Sequence, residues 1–248
     1  MQSPFFNYYQ FEMPQVVVGD LLDEKLAAGW YRIGALMMTT DLIDIPNGYA
    51  PVFWLRYMLQ RTKFSKSIAK LVAKNDQLFT VRVVPAYVKP EYEELYEKYR
   101  NFIDFSISPS LYESLYNSSP FNFFETVALE IRCNKQLAAV GFMDIGNKAS
   151  AGILNIYDPT FKKYSLGKYA IAKKITWSQE RNLQLFYPGY ISTHVAKFNY
   201  KTAFDPSSCE VLLPNTRTWE PFTTYDYTAL RQLYEQLLTQ HNNAMPSE

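Results

Sequence analysis

Hydrophobic and polar positions along the chain predict strands in both of its halves. Runs that alternate in polarity and are rich in β-branched and aromatic residues are typical of half-buried strands. In the second half three such runs follow one another, and the short turn Asn134-Lys135 joins the first two, which favours an antiparallel meander. The predicted strands are residues 52–59, 79–85, 126–133, 136–144, 150–157 and 183–191.

Apolar residues at intervals of three and four predict helices between these strands. Pro90 begins one helix, and Ser108-Pro109 caps a shorter one. The aromatic, proline-containing residues 1–19 predict an irregular arm lying on the body of the protein, and residues 241–248 predict a frayed tail. The remaining helices are predicted from Asp20 to Gly29, from Ser65 to Asn75, from near Gly167 to Arg181 and from Thr228 to Gln240.

Composition places the chain among folded proteins and excludes several classes. Of its 248 residues 48% are hydrophobic, and 25 basic residues balance 24 acidic ones to give a net charge of +1. A uniformly basic nucleic-acid coat is therefore excluded, so any anion site must be local, and no DNA partner is expected. Cys133 and Cys209 are far apart without a CxxC spacing, which predicts no metal site and fits a reducing cytoplasm. No apolar run approaches the length of a membrane span, so we expect a soluble cytoplasmic protein without a membrane partner.

A local concentration of positive charge lies on the predicted helix that follows Ser65. No acidic residue occurs between Ile45 and Asn75, and Lys66, Lys70 and Lys74 repeat at intervals of four, which places them in one stripe. A phosphate backbone is one partner for such a stripe. A solvated polar face opposite the apolar side of the helix is the other interpretation, and the stripe taken alone slightly favours it.

A second basic segment surrounds Ser165, Leu166 and Gly167, where a strand ends and a helix begins. Free amides at a helix N-terminus attract anions, and a glycine allows a ligand to approach the backbone closely. GNAT-type acyltransferases hold the pyrophosphate of their acyl carrier at this place in the order of elements. A loop glycine that only starts a helix explains the same pattern equally well. The lysines of this segment are Lys162, Lys163, Lys168, Lys173 and Lys174.

No covalent nucleophile is evident in the sequence. His194 and His241 are the only histidines, and a histidine such as His194 is more often structural than catalytic. The motifs G-x-G-x-x-G, GKS/T and HExxH are absent, which removes the usual sequence support for dinucleotide redox chemistry, nucleotide hydrolysis and zinc proteolysis. Aromatic residues crowd the second half. Most of them are expected in the core, while those beside Lys197 and Lys201 could stack on bases.

Six segments together identify a family resemblance. The C-terminal domain of the arginyl-tRNA-protein transferases, which include bacterial leucyl members, is similar to this chain at LAAVGFMD (137–144), NIYDP (155–159), YSLGKY (164–169) and YPGYISTHVAKFNYK (187–201). Upstream, GWYRIG (29–34) and KFSKSIAKLVAKN (63–75) resemble the glycine-arginine segment and the basic helix of that family. The resemblance covers most of residues 15–205, and its four C-terminal motifs occur in order and at matching spacing.

The resemblance implies a GNAT-like α+β fold whose mixed, mainly antiparallel sheet is flanked by helices. It also implies transfer of an amino acid from aminoacyl-tRNA to the N-terminus of an acceptor protein, commonly one that begins with Asp or Glu, and this tagging feeds N-degron proteolysis. No cofactor is expected. Residues 1–19 would form an N-terminal arm, 20–120 an N-terminal lobe with the basic helix, 121–241 the GNAT-like transferase domain, and 242–248 a disordered tail.

Two departures from the family pattern change what is expected. The family's N-terminal cysteine pairs are absent, since the chain reads ALMMTTDLIDIPNG after GWYRIG, and this argues against regulation through a metal cluster. Lysines replace most arginines of the basic helix, and lysine binds phosphate as a point charge rather than bidentately. Whether arginine or leucine is transferred stays open.

The resemblance and the expected strand order imply a set of site residues. The reacting ester is expected near the ends of the strands that carry Asp144, Tyr157 and Tyr187. Asp158 would orient the α-amine or, alternatively, form an Asx turn, and Tyr157 or Tyr190 would donate to the oxyanion. The expected tRNA contacts are Lys66, Lys70, Lys74, Lys162, Lys163, Ser165, Gly167, Lys168 and Tyr169. The expected acceptor contacts are Arg32, Tyr187, His194, Lys197 and Lys201, although Arg32 could instead form an ordinary surface pair.

The absence of a nucleophile agrees with this chemistry. An aminoacyl ester is already activated, so the protein needs to align an amine with a carbonyl group rather than to supply a covalent intermediate. Two rival functions remain: acyl transfer from acyl-CoA to a small molecule, and binding of tRNA or of a protein N-terminus without catalysis.

Overall fold

The computed structural model describes residues 6–46 and 48–244. Its strands are β1 (Gln10–Glu12), β2 (Tyr31–Ile33), β3 (Leu36–Thr39), β4 (Leu42–Ile45), β5 (Gly48–Met58), β6 (Thr80–Pro85), β7 (Thr126–Cys133), β8 (Gln136–Ile145), β9 (Ala149–Tyr157), β10 (Leu185–Ser192), β11 (Cys209–Leu212) and β12 (Trp219–Pro221). Its helices are α1 (Gly19–Ala27), α2 (Lys66–Asp76), α3 (Pro90–Phe102), α4 (Leu111–Tyr116), α5 (Leu166–Glu180) and α6 (Tyr227–Ala244).

Most strands form one sheet of nine, in the order β12-β11-β5-β10-β9-β8-β7-β6, with β4 paired to β5. Within this sheet β9 and β10 pair in parallel, and each of the other pairings is antiparallel. A separate three-stranded sheet has the order β1-β3-β2. The predicted α+β fold with a mixed, mainly antiparallel sheet flanked by helices is confirmed.

Alternation along the strands assigns side chains to the two faces of the large sheet. On β7, Ala128 packs in a cluster with Leu95 of α3 and Leu111 of α4. Its neighbour Leu129 packs in a different cluster with Ala170 of α5. Helices therefore cover both faces of the sheet, which explains why the central strands are apolar on both sides.

The three strands of the predicted meander are present as β7, β8 and β9, and the predicted helices correspond to α1 to α6. The short strands were not predicted. β1 to β4, β11 and β12 have only three or four residues each, too few to establish an alternating pattern. The arm expected to be irregular contains β1, which pairs with β3, while residues 1–5 lie outside the described residues. A 3₁₀ helix (Pro159–Tyr164) occupies part of the loop expected before α5.

The C-terminal helix continues past the predicted end. α6 runs to Ala244, so residues 242–244 of the expected tail are helical, and residues 245–248 lie outside the described residues. The sheet also takes strands from both sides of residue 120: β5 and β6 precede it, whereas β7 to β10 follow it. None of the helices in the described residues is long and apolar enough to cross a membrane.

Candidate active site at the separation of two parallel strands

The two parallel strands separate halfway along their length. β9 and β10 pair only where Ala149–Ala151 faces Leu185–Tyr187. Beyond these pairs β9 continues to Tyr157 and β10 to Ser192 without facing each other as partners. We call the space between residues 152–157 and residues 188–192 the β9–β10 gap. Gaps between the carboxyl ends of parallel strands are common ligand sites in proteins.

The sequence of β10 explains why pairing stops. Pro188 follows the last paired residue and has no N–H to donate to β9. Gly189 has a φ of +95°, a conformation that favours glycine, and the register between β10 and β5 shifts between Phe186 and Gly189. Because the proline and the glycine stand together, β10 bulges at the point where it leaves β9.

β9 bulges at the same level on the other side of the gap. Phe142 of β8 faces Leu154, whereas the next residue, Met143, faces Gly152, so Ile153 is an extra residue in β9. Backbone hydrogen bonds between neighbouring strands are therefore interrupted in both β9 and β10 at the same level of the sheet. Backbone carbonyl groups there need other donors, because a buried carbonyl without a partner is costly.

Two side chains supply those donors. The Tyr31 hydroxyl lies 2.6 Å from the carbonyl oxygen of Gly152 and 2.8 Å from that of Tyr187, so it bridges β9 and β10 at the start of the gap. The Lys174 ammonium of α5 donates to the carbonyl oxygens of Phe142, at 2.7 Å, and Leu154, at 3.2 Å. Tyr31 was not predicted as part of the site, and Lys174 was expected in the second basic segment, from which its complete burial removes it.

Lys174 is completely buried, and its environment is unusual for a lysine. Burial lowers its pKa to about 7, although Asp144 opposes this shift. Space for its side chain comes from Gly141, because a Cβ there would lie 2.8 Å from Cε of Lys174. The side-chain oxygen Oδ1 of Asn155, on the same side of the sheet, is buried and accepts no hydrogen bond in the described part of the chain.

Arg32 and Asp144, expected at the acceptor and catalytic positions, form an internal ion pair. Their atoms Nη1 and Oδ1 are 2.8 Å apart, and the two side chains are 1% and 0% exposed. The guanidinium also donates to the carbonyl oxygens of Gly34 and Leu115. Burial raises the pKa of Asp144, while Arg32 and Thr126 oppose the rise. The expectation that Arg32 faces an acceptor is corrected, because this pair has no edge open to a substrate.

Tyr157 is the last residue of β9 and Asp158 follows it, but their environments differ. Oδ1 of Asp158 accepts from the amide of Thr160, at 2.9 Å, and from its hydroxyl, which is the Asx turn considered as the alternative. Burial alone would raise the pKa of Asp158, but these hydrogen bonds outweigh it and lower the pKa. Tyr157 is half-buried, and its ring packs at 5.1 Å from that of Tyr99 in α3.

The two predicted tyrosines of β10 also differ in accessibility. Tyr187 is 2% exposed, its ring packs against Trp219, and its hydroxyl is buried without a partner among the described residues, so an acceptor has no access to it. Tyr190 is half-buried, with its ring 5.2 Å from both Trp54 and Phe198. Burial raises the pKa of Tyr190 to about 12, which keeps its hydroxyl protonated and able to donate.

Lys201 is a cation held against the gap by aromatic rings. Its ammonium donates to the carbonyl oxygen of Tyr190 at 2.8 Å and lies 5.1 Å from the centre of the Phe198 ring. A Cβ added at Gly189 would lie 3.6 Å from the Nζ atom of Lys201. Burial lowers the pKa of Lys201 to about 8, and no carboxylate among the described side chains forms an ion pair with it.

Lys197 and His194, which shortly precede Lys201 in the sequence, lie on the surface. The Lys197 ammonium sits 4.4 Å from the centre of the Phe105 ring, which lines a surface cavity of about 450 Å³ formed by residues 100–107. His194 is exposed, its Nδ1 lies 2.9 Å from the Thr193 hydroxyl, and its ring packs on Tyr234 of α6.

The two basic segments meet at one aromatic ring. The ammonium groups of Lys74 in α2 and Lys163 in the 3₁₀ helix lie 5.8 Å and 5.1 Å from the centre of the Tyr164 ring. Asn75 donates to the Tyr164 carbonyl oxygen, which fixes the end of α2 to this segment. The segments therefore form one surface, which we call the basic surface. Its exposed lysines are Lys66, Lys70, Lys74, Lys162, Lys163 and Lys168.

At the start of α5 the special backbone conformation belongs to Ser165 rather than to Gly167. Ser165 has a φ of +51° and is exposed, whereas Gly167 lies inside the first helical turn. A Cβ at Gly167 would meet no atom within 4 Å, so the fold itself does not require glycine there. Tyr169 is buried, and its hydroxyl donates to Asp76, which makes it a support for α2 rather than a ligand contact.

Two of the residues that the sequence analysis did not assign to the site carry a recognisable signal. Pro188 and Gly189 stand in the middle of a predicted strand, where proline is confined to edges and bulges. That pair could have located the gap. Tyr31 and Lys174 carry no comparable signal, because they reach the gap from positions 121 and 20 residues distant from the carbonyl groups they contact.

Comparisons with known proteins agree with the motifs. Residues 91–211 match the family model described as arginine-tRNA-protein transferase, C terminus. An aspartate/glutamate leucyltransferase of Campylobacter jejuni is 26% identical over 212 residues, covering 81% of this chain and 86% of the relative. One from Pseudomonas entomophila is 30% identical over 141 residues, covering 54% and 58%.

Among solved structures, L-PGS from Bacillus licheniformis aligns with a TM-score of 0.47 and 11% identity, covering 73% of this chain and 64% of that one. The family model and the curated relatives match the segments that carry the ordered motifs. Over residues 91–211 the chain is similar to the arginine-tRNA-protein transferase family, and over most of its length it is similar to aspartate/glutamate leucyltransferases.

Proposed function

We propose that this enzyme transfers an amino acid, leucine, from its tRNA to the N-terminus of acceptor proteins that begin with Asp or Glu. The observation that supports this proposal is that the β9–β10 gap adjoins the basic surface. β9 ends at Tyr157, and the 3₁₀ helix with Lys162 and Lys163 follows directly. The reaction would take place in the cytoplasm, where charged tRNA is found, and the tagged proteins would enter N-degron proteolysis.

The chemistry is aminolysis of an ester. The acceptor's neutral α-amine attacks the carbonyl carbon of the aminoacyl group, a tetrahedral oxyanion forms, and the ribose hydroxyl of the terminal nucleotide leaves with the proton that the amine loses. An α-amine has a pKa of about 7.7 to 8.0, so a fraction is already neutral at cytoplasmic pH and no strong base is needed. Alignment and stabilisation of the oxyanion then carry most of the catalysis.

The basic surface suits the phosphate backbone of tRNA. Its six exposed lysines come from α2, the 3₁₀ helix and the start of α5, and the nearest acid, Asp76, is already paired with Lys173 at 2.9 Å. The open space above Gly167 would admit a phosphate or a terminal nucleotide close to the first amides of α5. Lysines at these positions add affinity but carry no base information.

We assign Lys201 as the cation that recognises the acidic first residue of the acceptor protein. Its ammonium is largely desolvated, has a single backbone acceptor and lies beside the gap. A carboxylate brought next to it would gain a charge-assisted hydrogen bond and stabilise the protonated lysine. Lys197, above the cavity formed by residues 100–107, would contact the following part of the acceptor chain.

The side chains near the gap favour leucine over arginine as the transferred residue. Arginine in a desolvated site needs a free carboxylate. Asp144 already forms an ion pair with Arg32, and Asp158 contacts Thr160 and Lys98, whereas aromatic rings are abundant around β10. The relatives are named aspartate/glutamate leucyltransferases, which supports leucine as the transferred residue.

The test is a matrix of charged tRNAs and acceptor peptides. We expect transfer from leucyl-tRNA but not arginyl-tRNA, and higher kcat/KM for a peptide beginning with Asp than for peptides beginning with Asn or Ala. Lys201→Met should lower kcat/KM for the Asp peptide alone, while Lys135→Met, in the exposed turn between β7 and β8, should leave all three unchanged. Equal losses for the three peptides in Lys201→Met would contradict the assignment of Lys201.

Two other results would replace the proposal. Saturable acyl-CoA binding without tRNA binding would indicate a small-molecule acyltransferase. Tight binding of charged tRNA and acceptor peptide with no product under any condition would indicate a binding module that has lost catalysis.

A further inference from the structure

We propose that Tyr31 is a positioning residue whose hydroxyl holds β9 and β10 apart at the depth where the aminoacyl ester reacts. The inference rests on the proposed function for the identity of the reacting group. Its structural part, a hydroxyl wedge between two strands, stands on the geometry of the gap and can be tested separately.

The hydroxyl lies between the two strands at the level where their pairing ends. It is 2.6 Å from the Gly152 carbonyl oxygen on β9 and 2.8 Å from the Tyr187 carbonyl oxygen on β10. Tyr187 is the last residue of β10 that faces β9. A hydroxyl has one proton to share, so the two carbonyl groups are held on either side of a single donor.

The ring cannot turn away from this position. Tyr31 is 8% exposed, and its ring stacks on that of Trp54 with centroids 5.1 Å apart. Trp54 is itself fixed, since its indole N–H donates to the Thr40 carbonyl oxygen at 2.9 Å. Tyr31 also belongs to β2, where it faces Met38 of β3, so the small sheet determines where the hydroxyl is held.

This arrangement depends on the hydroxyl rather than on the ring. Phenylalanine would occupy the same apolar space against Trp54, but it would leave the Gly152 and Tyr187 carbonyl groups without that donor. The strands would then move to find other donors or admit water. Because β9 and β10 line the gap, their movement would displace an ester bound there without touching the lysines of the basic surface.

The experiment compares Tyr31→Phe with a matched deletion elsewhere. Tyr96→Phe is the control, because the buried Tyr96 also donates its hydroxyl to a backbone carbonyl group, that of Ser108, at 2.9 Å. Hydrogen exchange is followed at the amides of residues 152–155 and 189–191. Transfer is followed as kcat and as KM for charged tRNA.

For Tyr31→Phe we expect exchange at these amides to become about tenfold faster and kcat to fall about 10- to 100-fold, with KM for charged tRNA within about twofold of wild type. Tyr96→Phe should change neither quantity. Tyr31→4-aminophenylalanine restores a donor at the ring position and should recover most of both losses, which also serves if Tyr31→Phe does not fold.

Unchanged exchange in Tyr31→Phe, or the same change in Tyr96→Phe, would overturn the wedge. Faster exchange with unchanged kcat would overturn the positioning role. If the wild-type protein transfers no amino acid from any charged tRNA, the proposed function fails, and the exchange data alone then decide whether Tyr31 holds the strands apart.

Discussion

At the scale of single residues, burial decides which charged groups can meet a substrate. Arg32 and Lys201 are both cations within motifs that identify the family, yet their environments differ. Arg32 contacts Asp144 and backbone carbonyl groups from all sides. Lys201 donates to one backbone acceptor, the carbonyl oxygen of Tyr190 on β10, and has no ion-pair partner among the described residues. Sequence motifs place both residues near the site, but only the second has unused capacity to bind an anion.

Replacement of Arg32 should therefore destabilise the protein rather than change its selectivity. Arg32→Met leaves the Asp144 carboxylate buried without its partner, which costs about 3 to 5 kcal/mol. Arg56→Met is the matched control, since the side chains of the Arg56–Glu210 ion pair are 18% and 20% exposed and its loss should cost less than loss of the fully buried pair. Denaturant unfolding measures both. A stable Arg32→Met variant that loses preference for the Asp peptide would contradict this prediction.

Gly167 gives a second prediction at the residue scale. Gly167→Val should leave the free energy of unfolding within about 1 kcal/mol of wild type, because the added side chain points into open space. Transfer should fall at least about tenfold if a phosphate or nucleotide approaches the helix start there. Ala229→Val, in the first turn of α6, is the control for a β-branched residue near a helix start. Normal transfer by a stably folded Gly167→Val would mean that Gly167 is only a turn residue.

At the scale of elements, the end of α2 and the 3₁₀ helix become a single surface because Asn75 and Lys74 both contact Tyr164. Neither element is strongly basic over its whole length, and the net charge of the chain is only +1. The proposed attraction of a polyanion would therefore depend on how the two elements are joined. An isolated stripe on α2 would not have distinguished a tRNA surface from a solvated helix face.

Binding of tRNA should consequently depend steeply on salt. If about six phosphates are neutralised, the slope of log affinity against log salt concentration should be about −4 to −5. The double variant Lys66→Glu and Lys70→Glu should weaken binding of every tRNA to a similar extent and reduce the slope by about two. Fluorescence anisotropy at several salt concentrations measures this. A slope near zero, or a loss confined to one tRNA, would contradict the basic surface.

At the scale of the whole molecule, two buried lysines make folding dependent on pH. Burial lowers the pKa of Lys174 to about 7, below the value of about 10.4 for a free lysine. Between these two values the unfolded chain binds more protons at this site than the folded chain does. Stability contributed by this group therefore rises with pH through that window and is constant below it. Lys201, whose pKa is lowered to about 8, acts in the same direction.

The free energy of unfolding of the wild type, measured relative to that of Lys174→Met, should increase from pH 7 to pH 9 by about 1 to 2 kcal/mol. Lys173→Met, at the neighbouring and partly exposed position, should preserve the rise. Urea titrations at three pH values provide the comparison. A difference between wild type and Lys174→Met that does not change with pH would show that Lys174 titrates as a free lysine does.

The sequence by itself determined the regular elements and the family resemblance. Strands of the meander, α2, α3 and the start of α5 follow from alternation, helical spacing and the proline that begins α3, which are local properties of the chain. The cap expected at Ser108-Pro109 was wrong, because Ser110 accepts from the amide of Glu113 and begins α4. The Asx turn at Asp158 was also among the local alternatives. The motifs carry the family resemblance, because their order and spacing can be compared directly.

Only the tertiary structure decided what each of these residues does. Arg32 is separated from Asp144 by 112 positions and Tyr31 from Gly152 by 121, and no local pattern encodes such contacts. The gap depends on Pro188 and Gly189 in one strand, on a bulge in its neighbour, and on donors from β2 and α5. A hydrogen bond that replaces a missing ladder partner is a property of the assembled sheet, so local sequence patterns could not predict the gap or the donors that reach it.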